Sequence, residues 1–223
     1  MLPLCPQLPS RIVSSISFSV WLSLACLVSV ALGAGTAGAT IATGTATTFT
    51  GDPLSVSISI DDAIDPGNLV ITLQVDPGNT GDLRGFFAHV SDESLLSGLS
   101  VSGSNVSSGT FDANNVINLG GGNNLNGGGS PCPCDLGLEI GSPGIGSDDL
   151  QTVTFTLSHA TLALDLSVLL DQDFGVRATS VGPADGSRNG SSKLGGVVVP
   201  EPSTALLMGL GLCGLALRTR RHS

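Results

Sequence analysis

The stretch Ser55–Asn79 has the sequence SVSISIDDAIDPGNLVITLQVDPGN and decides the class of fold. Apolar and polar residues alternate in Ser55–Ile60 and in Leu69–Val75, which is the period of a β-strand with one buried face. Asp-Pro-Gly-Asn stands between the two runs and again after the second. In this tetrapeptide proline presets φ, glycine takes a positive φ, and Asp and Asn bond the local backbone. The stretch therefore predicts two antiparallel strands joined by a turn.

The same alternation recurs later in the chain, at residues 152–157, 161–168 and 174–178. No long segment has the period of an amphipathic helix. Short strands at regular spacing, each with one buried face, are typical of an antiparallel β-sandwich or jelly roll. We therefore predict an all-β domain over residues 40–183.

Two segments are too rich in glycine and polar residues to match this pattern. Residues 120–129 have the sequence GGGNNLNGGG, which cannot bury enough apolar surface to offset its ordering entropy. We predict a flexible loop over residues 120–131. Residues 184–198 include DGSRNGSSKLGG and are predicted as a flexible linker that follows the domain.

The N-terminus has the features of a secretory signal peptide. Arg11 is the first charged side chain and precedes the long apolar stretch Ile12–Ala34. Ala37-Gly38-Ala39 then fits the small-x-small pattern that signal peptidase cuts. We predict a signal peptide over residues 1–39 with cleavage after Ala39. The alternatives are cleavage after Ala34 and an uncleaved membrane anchor.

The C-terminus combines three features in order: Pro200-Glu201-Pro202, the uncharged and mostly apolar Ser203–Leu217, and then Arg218, Arg220 and Arg221. As a helix the apolar stretch would be about 22 Å long, which is short against a hydrocarbon core of about 30 Å. Arginines on one side only orient that side to the cytoplasm. The prolines stop the helix upstream and keep that segment extended.

This arrangement resembles the PEP-CTERM sorting signal over residues 199–223. The resemblance implies a transmembrane helix over 203–217, and recognition and cleavage near Pro200, Glu201 and Pro202 by an exosortase-like membrane protease. It implies export across the inner membrane of a Gram-negative, exopolysaccharide-producing bacterium, with signal peptidase as an earlier partner. The mature protein is then expected at the cell surface or in the biofilm matrix, with exopolysaccharide as a further partner. An ordinary C-terminal anchor is the alternative.

The charge of the exported part excludes one class of partner. Residues 40–199 contain 17 acidic and four basic side chains, a net charge near −13. Nucleic-acid binding depends on Lys and Arg that neutralise phosphates. We therefore predict no nucleic-acid partner.

Of the five cysteines, Cys132 and Cys134 lie in the predicted domain. An exported setting favours a disulfide that pins the glycine-rich loop. Free thiols and an intermolecular link are the alternatives. The neighbouring Asp135 does not lower a thiol pKa, so redox catalysis is not expected.

The acidic turns suggest calcium, either at Asp61, Asp62 and Asp65 or at Asp76 and Asp82, although no EF-hand spacing is present. The exported part has no Trp or Tyr on which sugar rings could stack. It also has no recognisable catalytic motif. We therefore predict a secreted, non-enzymatic protein with no resident cofactor other than calcium. A calcium-dependent ligand- or carbohydrate-binding module is the alternative.

Overall fold

The computed structural model describes residues 41–107, 109–143 and 148–201. Regular structure there is almost entirely β, which confirms the predicted all-β class. The strands are β1 (Ile41–Gly51), β2 (Ser55–Asp61), β3 (Leu69–Val75), β4 (Asn79–Ala88), β5 (Leu99–Ser102), β6 (Thr110–Val116), β7 (Cys134–Glu139), β8 (Thr152–His159), β9 (Asp173–Pro183), β10 (Gly190–Val197) and β11 (Val199–Pro200). Short 3-10 helices occupy Glu93–Gly98 and Leu166–Val168. The helices predicted within 1–39 and at 203–217 lie outside the described residues.

The described strands form one continuous antiparallel sheet in the order β5-β8-β3-β2-β1-β10-β9-β4-β7-β6, and β11 also pairs with β1. Strand β1 changes its pairing partner along its length. Residues Ile41–Thr47 pair with β2, whereas Thr47–Gly51 pair with β10. The sheet folds over on itself, because Phe86 on β4 packs against Phe155 on β8 at a ring-centroid distance of 5.5 Å. The result is a sandwich built from a single sheet.

The hairpin of β2 and β3 follows the predicted pattern. Every second side chain is buried along both strands and along β8: Val56, Ile58, Ile60, Leu69, Ile71, Leu73, Val153, Phe155 and Leu157. These side chains share one core with those of β4 and β9 in the facing layer. Removal of this apolar surface from water is the main source of stability.

The strand predicted at 161–168 is wrong. The segment is a loop that ends in the 3-10 helix Leu166–Val168, where the carboxylate of Asp165 accepts the N–H of Ser167 at 2.8 Å. Leu164, Leu166 and Val168 are buried in the main core. The alternation therefore arises because these side chains close one end of the sandwich.

The predicted flexible loop at 120–131 is irregular but closely packed. Leu125 is fully buried and joins Phe87, Val116 and the two cysteines in a second apolar cluster. A side chain at Gly175 would collide with Leu125, so glycine there makes room for the loop. The loop thus forms a third layer over the sandwich. Burial of a few apolar side chains, for which glycines such as Gly175 leave space, offsets the conformational entropy that the loop loses on ordering.

Two cations of the sheet bind the same loop. Arg177 on β9 donates to the carbonyl of Gly122 at 3.4 Å, and Lys193 on β10 donates to the side chain of Asn124 at 2.8 Å and to the carbonyl of Asn126. Burial, and then the charge of Arg177, lower the pKa of Lys193. The loop thus covers two of the few basic groups in an acidic domain.

The linker predicted at 184–198 is also wrong. Residues 190–197 form β10, which pairs with β9 on one side and β1 on the other. Leu194 is the large apolar side chain that this strand buries, so the sequence lacks the alternation of a typical strand. Backbone hydrogen bonds to both neighbours hold the glycine-rich segment in place, and the folded domain continues to Glu201.

Candidate sorting site at the end of the sheet

The predicted sorting motif begins inside the fold. Val199 and Pro200 form β11, in which Val199 pairs with Thr43 and Pro200 with Ala42 of β1. The N–H of Glu201 donates to the carbonyl of Ile41 at 3.3 Å. Pro202, the apolar stretch 203–217 and Arg218, Arg220 and Arg221 lie outside the described residues.

Local sequence explains why the chain turns onto β1 here. Val198 is buried, its N–H donates to Gln172 at 3.0 Å, and its carbonyl accepts the N–H of Asp171 at 2.8 Å. A Cβ at Gly44 would lie 2.6 Å from the carbonyl oxygen of Val197, which is too close for any side chain. Glycine in β1 therefore lets the C-terminal segment approach the strand. Proline suits the short β11, since its missing N–H is tolerated at a sheet edge.

A groove of about 500 Å³ lies beside β11. Outward-facing hydroxyl and amide side chains of β1, β2 and β3 line it: Thr43, Thr45, Ser57, Ser59, Thr72 and Gln74. Val197, Val199 and Glu201 complete the lining. The motif therefore borders an open polar concavity.

The motif residues are accessible and weakly held. Val199 is 46 % exposed, and Pro200 and Glu201 are also exposed. A strand of two residues makes few hydrogen bonds, and each contributes only about 0.5–1.5 kcal/mol net. Local opening of β11 therefore costs much less than unfolding of the sandwich.

The comparisons with known proteins identify this C-terminal segment. A family model described as the PEP-CTERM protein-sorting motif matches residues 198–221. The chain is thus an all-β protein that carries a C-terminal PEP-CTERM sorting signal, as the resemblance predicted. Such a motif implies an exported protein that is held at the membrane by its C-terminus and is processed by an exosortase. Comparisons with curated proteins and with solved structures find no match. Within 41–107, 109–143 and 148–201, no helix has the length and hydrophobicity needed to cross a membrane.

Cys132 and Cys134 are joined by a disulfide, which is the pairing predicted for the loop. Their Cα atoms are 4.9 Å apart and both residues are buried. Cys134 is the first residue of β7. The bridge therefore fixes the end of the covering loop to the start of a sheet strand.

The predicted calcium ligands are engaged by their own surroundings. Asp61 accepts the N–H of Ala63 at 2.7 Å and of Ile64 at 3.1 Å. Asp76 accepts the hydroxyl groups of Ser55 and Ser57.

The remaining three candidates also accept protein donors. Asp62 accepts the N–H of Leu166 at 3.4 Å, Asp65 accepts the side-chain N–H of Asn68 at 3.0 Å, and Asp82 accepts the N–H of Leu150 at 3.1 Å. Within the described part of the chain, no three His, Cys, Asp or Glu side chains come together as a metal site. Calcium binding stays a prediction.

Two buried carboxylates, Asp82 and Asp135, have pKa values shifted in opposite directions, which the local sequence does not predict. Asp82 is fully buried, and this burial raises its pKa, although the N–H of Leu150 and then the charge of Arg84 act against the rise. Asp135 is equally buried. Burial alone would raise the pKa of Asp135, but hydrogen bonds from Asn114, Val90 and His89 outweigh it and lower that pKa.

Asp135 on β7 ties together β6 and the segment that follows β4. It accepts the N–H of Asn114 at 2.7 Å and of Val90 at 2.8 Å, and it lies 2.9 Å from Nδ1 of His89. Asn114 has a φ of 53°, which a non-glycine residue rarely adopts. A carboxylate that orients an imidazole is also half of a nucleophile-activating arrangement. In the described residues, however, no hydroxyl or thiol side chain hydrogen-bonds to His89.

Proposed function

We propose that this chain is a non-enzymatic protein of the cell surface or extracellular matrix, delivered by exosortase-like cleavage near Pro200-Glu201-Pro202. The observation that carries the proposal is the exposed, extended start of the sorting motif at the end of the folded sheet. Proteases bind their substrates in extended conformations, and β11 already has one. Its weak pairing with β1 allows it to leave the sheet without unfolding of the domain.

Each part of the chain has a role in this proposal. Signal peptidase cleaves after Ala39, just before β1 begins at Ile41. The apolar stretch Ser203–Leu217 then holds the precursor in the inner membrane, and Arg218, Arg220 and Arg221 keep its end in the cytoplasm. Because Glu201 and Ile41 are hydrogen-bonded neighbours, the two segments that are cleaved leave the domain side by side.

Charge and packing support a structural role after release. The net charge near −13 over residues 40–199 favours solubility and disfavours association with nucleic acid. The pair of half-buried His89 and buried Asp135 serves to join β7 to the segment that follows β4. Association with exopolysaccharide in a biofilm matrix would use the polar surface of the sheet, since the exported part has no Trp or Tyr.

The experiment compares Glu201→Ala with Asp185→Ala in a host that has the exosortase. Both acids are exposed, but Asp185 lies in the β9–β10 turn, outside the motif. We expect the Glu201→Ala chain to stay in the membrane fraction at precursor length, while the Asp185→Ala chain is cleaved and released. End-group masses of the released protein locate both cleavage sites. Normal release of the Glu201→Ala chain would show that the assignment of the motif is wrong.

A further inference from the structure

In the part of the chain that the structure describes, the exposed large apolar side chains lie at one end of the sandwich. Among the described residues they are Ile64, Leu162, Val197 and Val199, with exposed fractions of 69, 52, 45 and 46 %. Single exposed apolar side chains are ordinary on protein surfaces, whereas a group of them marks a contact site. We call this group the apolar end.

Strand register places all four residues beside the point where the chain leaves the fold. Asp61, at the end of β2, pairs with Ile41, and Ile41 accepts the N–H of Glu201. The turn that carries Ile64 therefore begins beside Glu201. The loop that carries Leu162 lies next to that turn, because Leu164 donates its N–H to the carbonyl of Gly67 at 2.9 Å. Val197 pairs with Asp173, the first residue of β9, at the same end.

The opposite end of the sandwich has a different surface. Among the residues of this end that the structure describes, the turns at 52–54, 76–78 and 184–189 expose no large apolar side chain. The eleven residues of β1 run from one end to the other, which separates the two ends by roughly 30 Å.

We propose that the apolar end docks onto the surface of the lipid bilayer while the precursor is still anchored. The inference rests on the proposed function, since it takes Ser203–Leu217 as the membrane segment. Glu201 is only two residues from Ser203, and two residues reach at most about 7 Å. The domain must therefore sit directly on the bilayer, and the end that faces the bilayer is the one with exposed Ile, Leu and Val side chains.

Charge at the apolar end selects the kind of lipid. The turn with Ile64 also carries Asp61, Asp62 and Asp65. Close to Leu162, hydrogen bonds from the hydroxyl and then the N–H of Ser167 lower the pKa of Asp165, so this carboxylate stays ionised. Anionic headgroups would repel these groups. The apolar end therefore fits a zwitterionic surface, and docking would hold Pro200 and Glu201 at the depth of the headgroups.

The test uses the precursor after removal of the predicted signal peptide, residues 40–223, which contains no tryptophan, so that one introduced tryptophan reports its own position. Ile64→Trp and Leu162→Trp probe the apolar end, and Ala184→Trp, also at an exposed residue, is the matched control at the other end. Each chain is reconstituted into phosphatidylcholine vesicles with brominated acyl chains, and flotation measures membrane association. Melting temperatures close to that of the parent chain show that the substitutions leave the fold intact.

We expect all chains to float, with strong quenching at positions 64 and 162 and little at 184. Addition of phosphatidylglycerol should weaken the quenching at position 64. Flotation with equal, weak quenching at all three positions would overturn the docking and leave the membrane anchor intact. If the tryptophans at 64 and 162 were buried in a dimer whether or not lipid is present, the apolar end would be a contact site for a second copy of the chain and not for the bilayer. If no chain floats, both the anchor and the docking are wrong.

Discussion

Pro200 lies opposite Ala42 in an antiparallel strand pair, so the sorting motif starts within the sheet and not after it. A protease that grips this segment must first separate β11 from β1. Thr43 and Val199 are the adjacent pair in the same ladder. Residues paired in this way have Cα atoms about 4.5–5.5 Å apart, which is compatible with a disulfide.

We therefore predict that the double substitution Thr43→Cys and Val199→Cys blocks processing when oxidised, because a covalent link prevents β11 from leaving β1. The precursor should accumulate in membranes, and a reductant should restore its cleavage, as followed by immunoblot. The single substitution Val199→Cys is the control for loss of the valine side chain. Cleavage of the oxidised double variant at the normal rate would mean that β11 need not open.

Asp82→Asn should stabilise the domain at neutral pH. Burial raises the folded-state pKa of Asp82 above the ordinary value of 3.8. Its stabilising contribution is therefore complete below that value and is lost as pH rises through the folded pKa. The neutral amide keeps an oxygen that can accept the N–H of Leu150. Thermal melts across acidic and neutral pH should show the variant melting at a higher temperature than the parent at neutral pH. The difference between the two melting temperatures should disappear below pH 3.8.

Asp135→Asn should have the opposite effect. The folded-state pKa of Asp135 lies below 3.8, so its contribution is present above that pH and is lost as pH falls through the folded pKa. The variant should melt lower than the parent at neutral pH and approach it in strong acid. If both asparagine variants shifted the melt in the same direction, the burial and bonding argument for one of the two carboxylates would be wrong.

Leu125→Ala tests whether the glycine-rich loop is a packed layer. Leu125 is fully buried, and truncation of such a leucine costs about 2–5 kcal/mol of unfolding free energy. Leu119, directly before the loop, is partly buried, so Leu119→Ala should cost clearly less. Urea unfolding measures both. Equal and negligible losses would restore the original prediction of a flexible loop.

Replacement of both Cys132 and Cys134 by alanine should loosen the loop and only modestly destabilise the fold. The bridge closes a ring between residues two apart in sequence, for which the chain-entropy model gives about 1–2 kcal/mol. Limited proteolysis should cut the variant within 117–131 faster than the parent. Treatment of the parent with a reductant should reproduce the effect, and alkylation of untreated protein would contradict the disulfide.

The hairpin at 55–79 could be predicted because its information is local. A strand with one buried face alternates in sequence, and Asp-Pro-Gly-Asn supplies the turn from its own backbone preferences. The signal peptide prediction and the sorting motif rest on equally local composition and order. The failure at 161–168 has the same origin: alternation reports which side chains are buried, and Leu164, Leu166 and Val168 are buried from a loop.

Residues 190–200 show what local sequence could not determine. Their glycines and serines have little preference for a strand and bury few apolar groups, so they match the composition of a linker. They are strands because β1, far away in sequence, and β9, the preceding strand, offer unpaired backbone groups, and because Gly44 leaves space for the crossing. Sequence alone thus determined that the protein is all-β and carries a sorting signal. Only the tertiary structure determined that the signal begins in the sheet, beside Ile41, because that position depends on hydrogen bonds between distant strands.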